Sequence, residues 1–444
     1  MRRTYYVVAV VVVLSMLAGC AGAPAAPAPV QATQAPAAQA PAAPAVQPTQ
    51  APAASGGQGP IKIGVLVPTT GNVAASGKDM LDGWNLYWDQ HGKKAGGRDI
   101  EIYVEDSAGN PDTALTKSRL LVEQRQVHML VGGLLANVGL AVADWAKGNG
   151  VPYFIPIVAA DDLTQRAVIP NVLRVAGWTS SQDAHPAGDW AFKNGYKTAA
   201  TIANDYAFGH ENVGGFVHTY ADAGGKVLGE IWNPQGTPDF SSYMAQLQSL
   251  NPQLVFTEQV GADSQRFVKA WSDFGLKGKI VLLGNETLTD QSLLRNMGPE
   301  AEGIMSVGHW AEGRNSPETQ NFVNAYDKAY GKLPSYYSVN MYVAAMWIAA
   351  AIDKANGNVE DRQNLIKVVR ETSFADTPLG PMKMDEYGNP VFNVYLRKVE
   401  KRPDGRLWNV VVETFPNVSQ FWTWSPEEYM KMPAYTRDYK PPSQ

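Results

Sequence analysis

Short apolar strands alternate with helical segments from residue 61 onward, and this alternation restricts the possible folds most strongly. Residues 61–67 read IKIGVLV, an apolar strand, and Met80, Trp84, Tyr87 and Trp88 then recur at the spacing of one helix face. Strands separated by helices favour parallel sheets that are covered by helices on both faces. The sequence therefore predicts an α/β protein.

The same pattern continues along about 350 residues, which favours two sheets over one. Further strands are predicted at residues 100–104, 127–131, 152–157, 198–203, 226–231, 254–257 and 280–283, and helices at 138–146, 336–354 and 364–372. In open parallel sheets, ligands bind beyond the carboxyl ends of the strands, at helix N-termini. The loops selected by this rule are residues 69–76, 135–138, 157–161, 205–208, 258–261 and 285–287. Two sheets that face each other would bring these loops together.

The first 19 residues have the pattern of a secretory signal peptide. Arg2 and Arg3 precede an apolar run at residues 5–17 that is too short for a stable membrane span. The run ends in Leu-Ala-Gly before Cys20, the only cysteine of the chain, and this segment resembles the bacterial lipoprotein box. The resemblance implies export, lipidation of Cys20 and anchoring to the cell membrane, with the protein facing the periplasm or the cell exterior.

Residues 20–60 are predicted to form the lipid anchor and an Ala/Pro/Gln-rich tether. Residues 21–60 contain 16 Ala, 9 Pro and 6 Gln, and no charged residue occurs there. Closely spaced prolines exclude a regular helix, so the segment is expected to be semi-extended, with a reach of up to ~100 Å. Reach through a cell envelope and a tolerated spacer both remain open as its role.

Composition and motifs disfavour several classes of function. A net charge of −5 with mixed signs argues against a nucleic-acid partner, and a single cysteine argues against disulfide or cysteine–zinc sites. The six histidines lack metal-binding spacing, and residues 71–79 miss the phosphate-loop pattern because Asp79 replaces Ser or Thr. No nucleophile elbow is present. We therefore predict a non-enzymatic protein with no catalytic residue, metal or cofactor.

Several segments resemble the solute-binding proteins of branched-chain amino acid ABC transporters, which are type I periplasmic binding proteins similar to leucine-binding protein. The segments in question are IKIGVLVPTTGNVAASGKDMLDGWNLYWDQHG, VPYFIPIVAADDLT, IANDYAFGHE, LLGNETLTDQSLL and TPLGPMKMDEYGNP. The resemblance covers residues 61–413. It implies two Rossmann-like lobes with parallel sheets, joined by three crossovers, that close like a Venus flytrap around a small molecule.

The resemblance also implies a division of the chain. Crossovers are expected near residues 177–182, 306–312 and 378–390. Lobe one would comprise residues 61–178 plus 311–379, and lobe two residues 182–305 plus 390–413. The aromatic and Pro-rich tail, residues 414–444, is expected to form a strap that packs on a lobe or the hinge; an exposed aromatic strip for a sugar or a partner is the alternative.

The resemblance carries some ligand-binding positions to this chain, with changes. The Ser and Thr that hold a ligand carboxylate fall at Ala136 and Ala159, so both hydroxyls are missing. Backbone amides of a helix N-terminus would replace them, with Asn137 as an added side-chain donor. The alternative is that both alanines line a cleft that holds no anion.

Aromatic and acidic positions complete the expected site. A ligand-packing Tyr falls at Ser76, which opens space, while Tyr206 and Phe208 supply aromatic walls and Trp178 caps the pocket or packs the hinge. Glu286 takes the position of the carboxylate that meets a ligand amino group, because a buried ammonium needs a counter-charge; a solvated loop carboxylate is the alternative. Amino acids and aromatic carboxylates of the hydroxybenzoate type both remain open as ligands.

The leading hypothesis is the solute-binding component of an ABC importer, acting as a monomer. It would capture an amino acid or a related small organic acid between its lobes and deliver it to permease and ATPase subunits. A binder of aromatic carboxylates in the same transporter class is the alternative. A second alternative is a ligand-sensing domain for a partner signalling protein, because the same fold serves both roles.

Overall fold

The computed structural model describes residue 57 and residues 59–439. The predicted signal peptide, Cys20 and most of the tether lie outside the described residues and stay predictions. Along residues 59–439, no helix combines the length and apolar character needed to cross a membrane.

The strands follow the predicted alternation and extend it. In chain order they are β1 Ile61–Val67, β2 Lys94–Ala95, β3 Arg98–Asp106, β4 Met129–Gly132, β5 Tyr153–Ile155, β6 Val172–Arg174, β7 Thr198–Asn204, β8 Lys226–Asn233, β9 Leu254–Glu258, β10 Val281–Asn285, β11 Met305–Gly308, β12 Ser373–Phe374, β13 Met382–Met384, β14 Pro390–Lys401 and β15 Leu407–Val418.

The helices lie mainly between strands. They are α1 Ala74–Gln90, α2 Pro111–Arg119, α3 Ala136–Asn149, α4 His185–Lys193, α5 Ala207–Asp222, α6 Ser241–Leu250, α7 Ala262–Asp273, α8 Gln291–Leu294, α9 Pro317–Tyr330, α10 Tyr336–Lys354, α11 Arg362–Arg370 and α12 Pro426–Lys431. Local capping explains several starts: Asn110 accepts a hydrogen bond from the Thr113 amide (3.0 Å) before α2, and Ser335 accepts one from the Ser338 amide (3.2 Å) at α10.

The strands form two sheets, of which the first is mostly parallel and the second combines a parallel part, β7 to β11, with antiparallel strands β12 to β15. The first sheet has the order β2-β3-β1-β4-β5-β6, and the second has the order β12-β13-β14-β11-β10-β9-β7-β8, with β15 paired to β14. In the first sheet, Ile63 of β1 lies between Ile102 and Met129 in parallel register. The predicted fold class, two α/β lobes, is confirmed. We call them the first-sheet lobe and the second-sheet lobe.

The antiparallel pairs were not predicted. β14 runs antiparallel to both β11 and β15, and β2 runs antiparallel to β3. The predicted lobe boundaries stay a prediction, and one pairing departs from them: Ser373–Phe374 joins the second sheet through β13, although residues 311–379 were assigned to lobe one.

Helix α10 forms much of the core of the first-sheet lobe. It packs along α1 with Trp347 fully buried, and Trp84 and Trp88 of α1 are also fully buried. The contact needs a glycine, because a Cβ at Gly83 would lie 1.9 Å from the Ser338 carbonyl oxygen. This close approach fixes where the N-terminus of α10 lies.

The tail after β15 packs back on the body. The Tyr429 and Ser181 hydroxyls lie 3.1 Å apart, Gln420 donates to Asp385 (2.7 Å), and Tyr435 donates to Glu230 (2.9 Å). Tyr429 and Tyr435 are both buried. The tail therefore contacts three segments: the one that follows β6 of the first sheet, the one that precedes β14, and strand β8 of the second sheet.

Candidate functional site

A narrow cavity lies between the lobes, at the carboxyl ends of parallel strands. Its volume is about 270 Å³. The lining residues, mostly aromatic or aliphatic, are Leu134, Ala136, Ile157, Ala159, Trp178, Tyr206, Phe208, Val260, Tyr336 and Tyr337. None of these side chains carries a formal charge at neutral pH.

Most of the predicted ligand-binding residues meet at this cavity. Ala136 and Ala159 contribute from the first-sheet lobe, Tyr206 and Phe208 from the second-sheet lobe, and Trp178 from the segment between the two sheets. Ala136, Ala159, Phe208 and Trp178 are buried, with Trp178 only 1% exposed. These positions follow strands of both sheets, as the strand-end rule requires.

Ser76 and Asn137 do not line the cavity. Ser76 is buried in α1, and its hydroxyl lies 3.1 Å from the Ser292 hydroxyl of α8 in the other lobe. Asn137 lies on the first turn of α3 with an exposed side chain. The structure therefore gives Ser76 a cross-lobe contact and offers no side-chain donor from Asn137 to this cavity.

Glu286 is not among the residues that line the cavity, and its carboxylate is bound by the protein. Its predicted pairing with a ligand ammonium stays a prediction. Glu286 is fully buried, and Arg397 Nη1 lies 2.9 Å from Oε1. Oε1 also accepts from the Trp310 amide (3.1 Å), and Oε2 accepts from the His309 amide (3.3 Å) and lies 2.7 Å from His309 Nδ1. The protein itself already supplies the counter-charge that this carboxylate needs.

Tyr336 and Tyr337 are lining residues that sequence reasoning missed. Their ring centroids lie 3.9 Å apart, and Tyr336 meets Trp178 edge-to-face at 5.1 Å. Burial raises the pKa of both tyrosines well above the ordinary value, so both hydroxyls stay protonated. The sequence signal was available, since two aromatic residues open the helix predicted at residues 336–354, but that helix does not follow a strand end.

Three helices begin at the cavity without a side-chain cap. The residues before their first turns are Leu135 for α3, Tyr206 for α5 and Gly261 for α7. First-turn N–H groups have no partner within their own helix, and the helix dipole adds partial positive charge there. The cavity thus combines apolar walls with backbone donors from both lobes.

Four buried carboxyls lie in the segments that carry lining residues or directly beside them, but do not line the cavity themselves. Burial raises the pKa of Glu258 to about 8, although the Asn204 amide donates to it at 3.0 Å. Burial likewise raises the pKa of Asp161 and of Asp290 to about 6, and that of Glu211 well above its usual value. Desolvation disfavours the charged form of each group and limits the negative charge near the cavity.

Larger spaces occur elsewhere among the described residues. One of about 1740 Å³ lies between α5, β8 and the tail, and one of about 740 Å³ lies at the start of β10. A third, of about 540 Å³, lies beside the narrow cavity and is lined by Asn72 and Leu135 on one lobe and Gln235 on the other. Among these spaces, the narrow cavity is the one lined by five of the predicted ligand-binding residues, and it is the candidate for the solute site.

Comparison with known proteins identifies the family. The profile of the family described as "Periplasmic binding protein" matches residues 60–405. The chain belongs to the periplasmic binding protein family. This agrees with the resemblance seen in the sequence.

Individual relatives cover most of the chain. It is 30% identical over 361 residues to "Leu/Ile/Val-binding protein homolog 6" of Brucella melitensis, covering 80% of this chain and 91% of that protein. An ABC transporter substrate-binding protein from Sphaerobacter thermophilus is 32% identical with a TM-score of 0.77, covering 81% of this chain and 99% of the other. An ABC transporter solute-binding protein from Rhodopseudomonas palustris, in complex with 3,4-dihydroxybenzoic acid, is 30% identical with a TM-score of 0.77, covering 81% and 98%.

These findings confirm the predicted class of function. This periplasmic binding protein is a solute-binding protein of the kind that serves ABC transporters, and its family is exported. The relatives are themselves solute-binding proteins.

Proposed function

We propose that this periplasmic binding protein captures a small aromatic carboxylate in the narrow cavity and delivers it to an ABC permease. The observation that carries the proposal is the set of aromatic lining residues, with Trp178 from the segment between the two sheets and Phe208 from the second-sheet lobe. Aromatic rings stack favourably face to face with an offset, or edge to face. A planar ring among such side chains would bury apolar surface.

Backbone amides would hold the carboxylate. The uncapped N-termini of α3 and α5 come from different lobes, and Ala136 and Tyr206 place both at the cavity. Free N–H groups and the helix dipole favour an anion, and small side chains such as Ala136 and Ala159 let it approach the backbone. Lobe closure would then assemble the complete anion site from two half-sites.

Relatives support an aromatic ligand. The Rhodopseudomonas palustris protein described above holds 3,4-dihydroxybenzoic acid, and another from the same species, 29% identical with a TM-score of 0.76, holds benzoate. The contacts of Glu286 add to this, because a carboxylate bound to Arg397 is not free to receive a ligand ammonium.

An amino acid is the second candidate. The name of the Brucella relative supports it, and so does the buried Glu258, whose Oε1 has no hydrogen-bond partner within residues 59–439. A ligand ammonium near this carboxyl would favour its ionised form. Burial in the absence of such a charge keeps the pKa of Glu258 at about 8.

The ligand test uses calorimetric titration with benzoate, 4-hydroxybenzoate, 3,4-dihydroxybenzoate, leucine and valine. We expect binding of at least one benzoate and none of the amino acids. Ala136→Leu fills the cavity and should abolish binding, whereas Asn137→Leu changes an exposed neighbour on the same turn and should not. Binding of leucine but of no benzoate would overturn the aromatic proposal, and equal loss in both variants would move the site away from the cavity.

We further propose that the protein is a monomer anchored by lipid at Cys20, with residues 21–60 as its tether. The thiol directly follows Leu-Ala-Gly, the small-residue context of a lipoprotein signal. Cys20→Ser should move the protein from the membrane fraction to the soluble fraction of the envelope. Continued membrane association of this variant would refute lipid anchoring.

A further inference from the structure

A buried carboxyl lies against the first turn of α5, next to the cavity. Glu258 is the last residue of β9 and is fully buried. Its Oε2 accepts a hydrogen bond from the Asn204 amide at 3.0 Å, and a Cβ at Gly209 would lie 3.0 Å from the same oxygen. Gly209 directly follows Phe208, which lines the cavity, and α5 begins without a side-chain cap. The carboxyl and the cavity therefore share one helix N-terminus.

The second oxygen of this carboxyl has no partner. Glu258 Oε1 is buried, and no hydrogen-bonding group among residues 59–439 reaches it. Native proteins pair nearly all buried polar atoms, so this oxygen needs a partner that the described residues do not supply. Because Oε2 already accepts from an amide, a proton on this carboxyl lies on Oε1, which then acts as a donor.

Burial keeps that proton on Glu258. Burial raises the pKa of the carboxyl to about 8, the Asn204 amide opposes this rise, and the negative charge of Asp263 adds to it. Arg266 pairs with Asp263 and not with Glu258. The other titratable groups of this region, none of them a cation, are Tyr206, Glu211 and Tyr337. Glu258 is therefore mostly a neutral acid at about pH 7.

A carboxylate of the solute would complete this arrangement. The first turn of α5 offers N–H groups to an anion, and Glu258 offers its O–H beside them. A hydrogen bond from an acid O–H to a carboxylate is charge-assisted and stronger than a neutral one. Two carboxyl groups in direct contact share one proton, because like charges disfavour ionisation of both. A solute ammonium would have the opposite effect, since it would favour the ionised form of Glu258.

We propose that Glu258 is a specificity-determining residue that binds the solute carboxylate as a neutral hydrogen-bond donor. This rests on the proposed binding of an aromatic carboxylate in the narrow cavity. The Oε1–H group donates to one carboxylate oxygen, and no covalent bond is broken. The site would thus select a carboxylate without a cationic side chain on its wall, and only the protonated form of Glu258 would bind it well.

Proton uptake by the wild-type protein tests the proposal without any variant. Benzoate is titrated calorimetrically at about pH 8 in phosphate and in Tris, two buffers that differ in ionisation enthalpy. About half of Glu258 is ionised in the free protein at this pH, so benzoate binding should take up about half a proton. Absence of uptake would overturn the inference. So would binding of leucine with release of protons, which would indicate an ammonium beside this carboxyl.

Three variants test whether the proton belongs to Glu258. Wild-type affinity for benzoate should fall roughly tenfold between about pH 7 and about pH 9, as the acid form is lost. Glu258→Gln donates at every pH, so this fall and the proton uptake should both vanish. Glu258→Leu has no donor and should bind benzoate roughly tenfold more weakly at about pH 7. Glu230→Gln removes a carboxyl that contacts Tyr435 on β8, outside the cavity, and should keep the wild-type profile.

The pattern across these proteins separates the inference from the proposed function. Equal pH profiles of the wild type and Glu258→Gln, or wild-type affinity of Glu258→Leu, overturn the inference alone. Absence of benzoate binding by the wild-type protein overturns the proposed function as well. If Glu258→Leu does not fold, the wild-type titrations and Glu258→Gln still decide the question.

Discussion

A cross-lobe ion pair is expected to stabilise the closed form of the protein. Asp79 of α1 is 1% exposed, and Arg295, which follows α8 in the other lobe, approaches it at 2.5 and 3.1 Å. Lys332 lies 2.7 Å from the same carboxylate and also 2.7 Å from Asp82, both on α1. Of the two cations that contact Asp79, only Arg295 comes from the other lobe, so we expect Asp79→Asn to act mainly on lobe closure.

The structure sets the size of the effect. Breaking a fully buried pair costs about 3–5 kcal/mol because it leaves a buried charge unpaired. The Arg295 and Lys332 side chains are 23% and 25% exposed, so water compensates part of the loss. We therefore expect Asp79→Asn to cost about 2 kcal/mol of closure free energy, which is a factor of about 30 in the closing equilibrium.

Ligand affinity reports this change, since the apparent affinity falls with the population of the binding-competent form. Calorimetry with a ligand identified by the panel should show weaker binding by Asp79→Asn, up to about thirtyfold. Small-angle scattering of the unliganded variant should show a larger radius of gyration than the wild type.

Lys332→Met is the matched control. It removes a partner of the same carboxylate but breaks no contact between lobes, so affinity should change little while thermal stability falls. Equal losses of affinity in both variants would refute the closure argument. So would an Asp79→Asn protein with a lower melting temperature and wild-type affinity.

Two other perturbations have defined outcomes. Burial gives Glu258 a folded-state pKa of about 8, above its unfolded value, so the folded protein binds an extra proton and loses stability as pH rises between about 4.5 and 8. Glu258→Gln should flatten this part of the stability profile and raise the free energy of unfolding at pH 8 by an amount on the order of 4 kcal/mol, as measured by urea titration. An unchanged slope would contradict the assignment. Ending the chain at Ser419 removes the buried Phe421, Tyr429 and Tyr435, so calorimetric scans should show a lower melting temperature. An unchanged melting temperature would favour the tail as an exposed strip for a partner.

The strand-end rule predicted much of the site because it depends on local order along the chain. The loops at residues 135–138, 157–161, 205–208 and 258–261 each supply a lining residue. The loop at 69–76 reaches the adjacent space through Asn72 and Val73. Each of these loops follows a parallel strand whose apolar run was evident in the sequence.

The tyrosines of α10 escaped the rule because tertiary packing puts them at the cavity. The helix itself was predicted at its observed bounds. Its N-terminus reaches the cleft only because Gly83 lets α1 approach the Ser338 backbone, and because Asp290 of the other lobe accepts from the Tyr336 amide at 2.9 Å. Neither contact leaves a periodic signal in the sequence.

Glu286 shows most clearly what transfer by resemblance leaves out. Its position after β10 was read correctly, but the partner that determines its role, Arg397, lies 111 residues further along the chain. Arg397 reaches it because β14 enters the second sheet antiparallel to β11, a pairing that strand–helix alternation does not predict. A buried carboxylate needs a counter-charge, and the antiparallel strand supplies it from within the protein. We therefore expect Glu286 to stay bound to Arg397 when the solute binds, and the helix N-termini to hold the carboxylate of the proposed ligand.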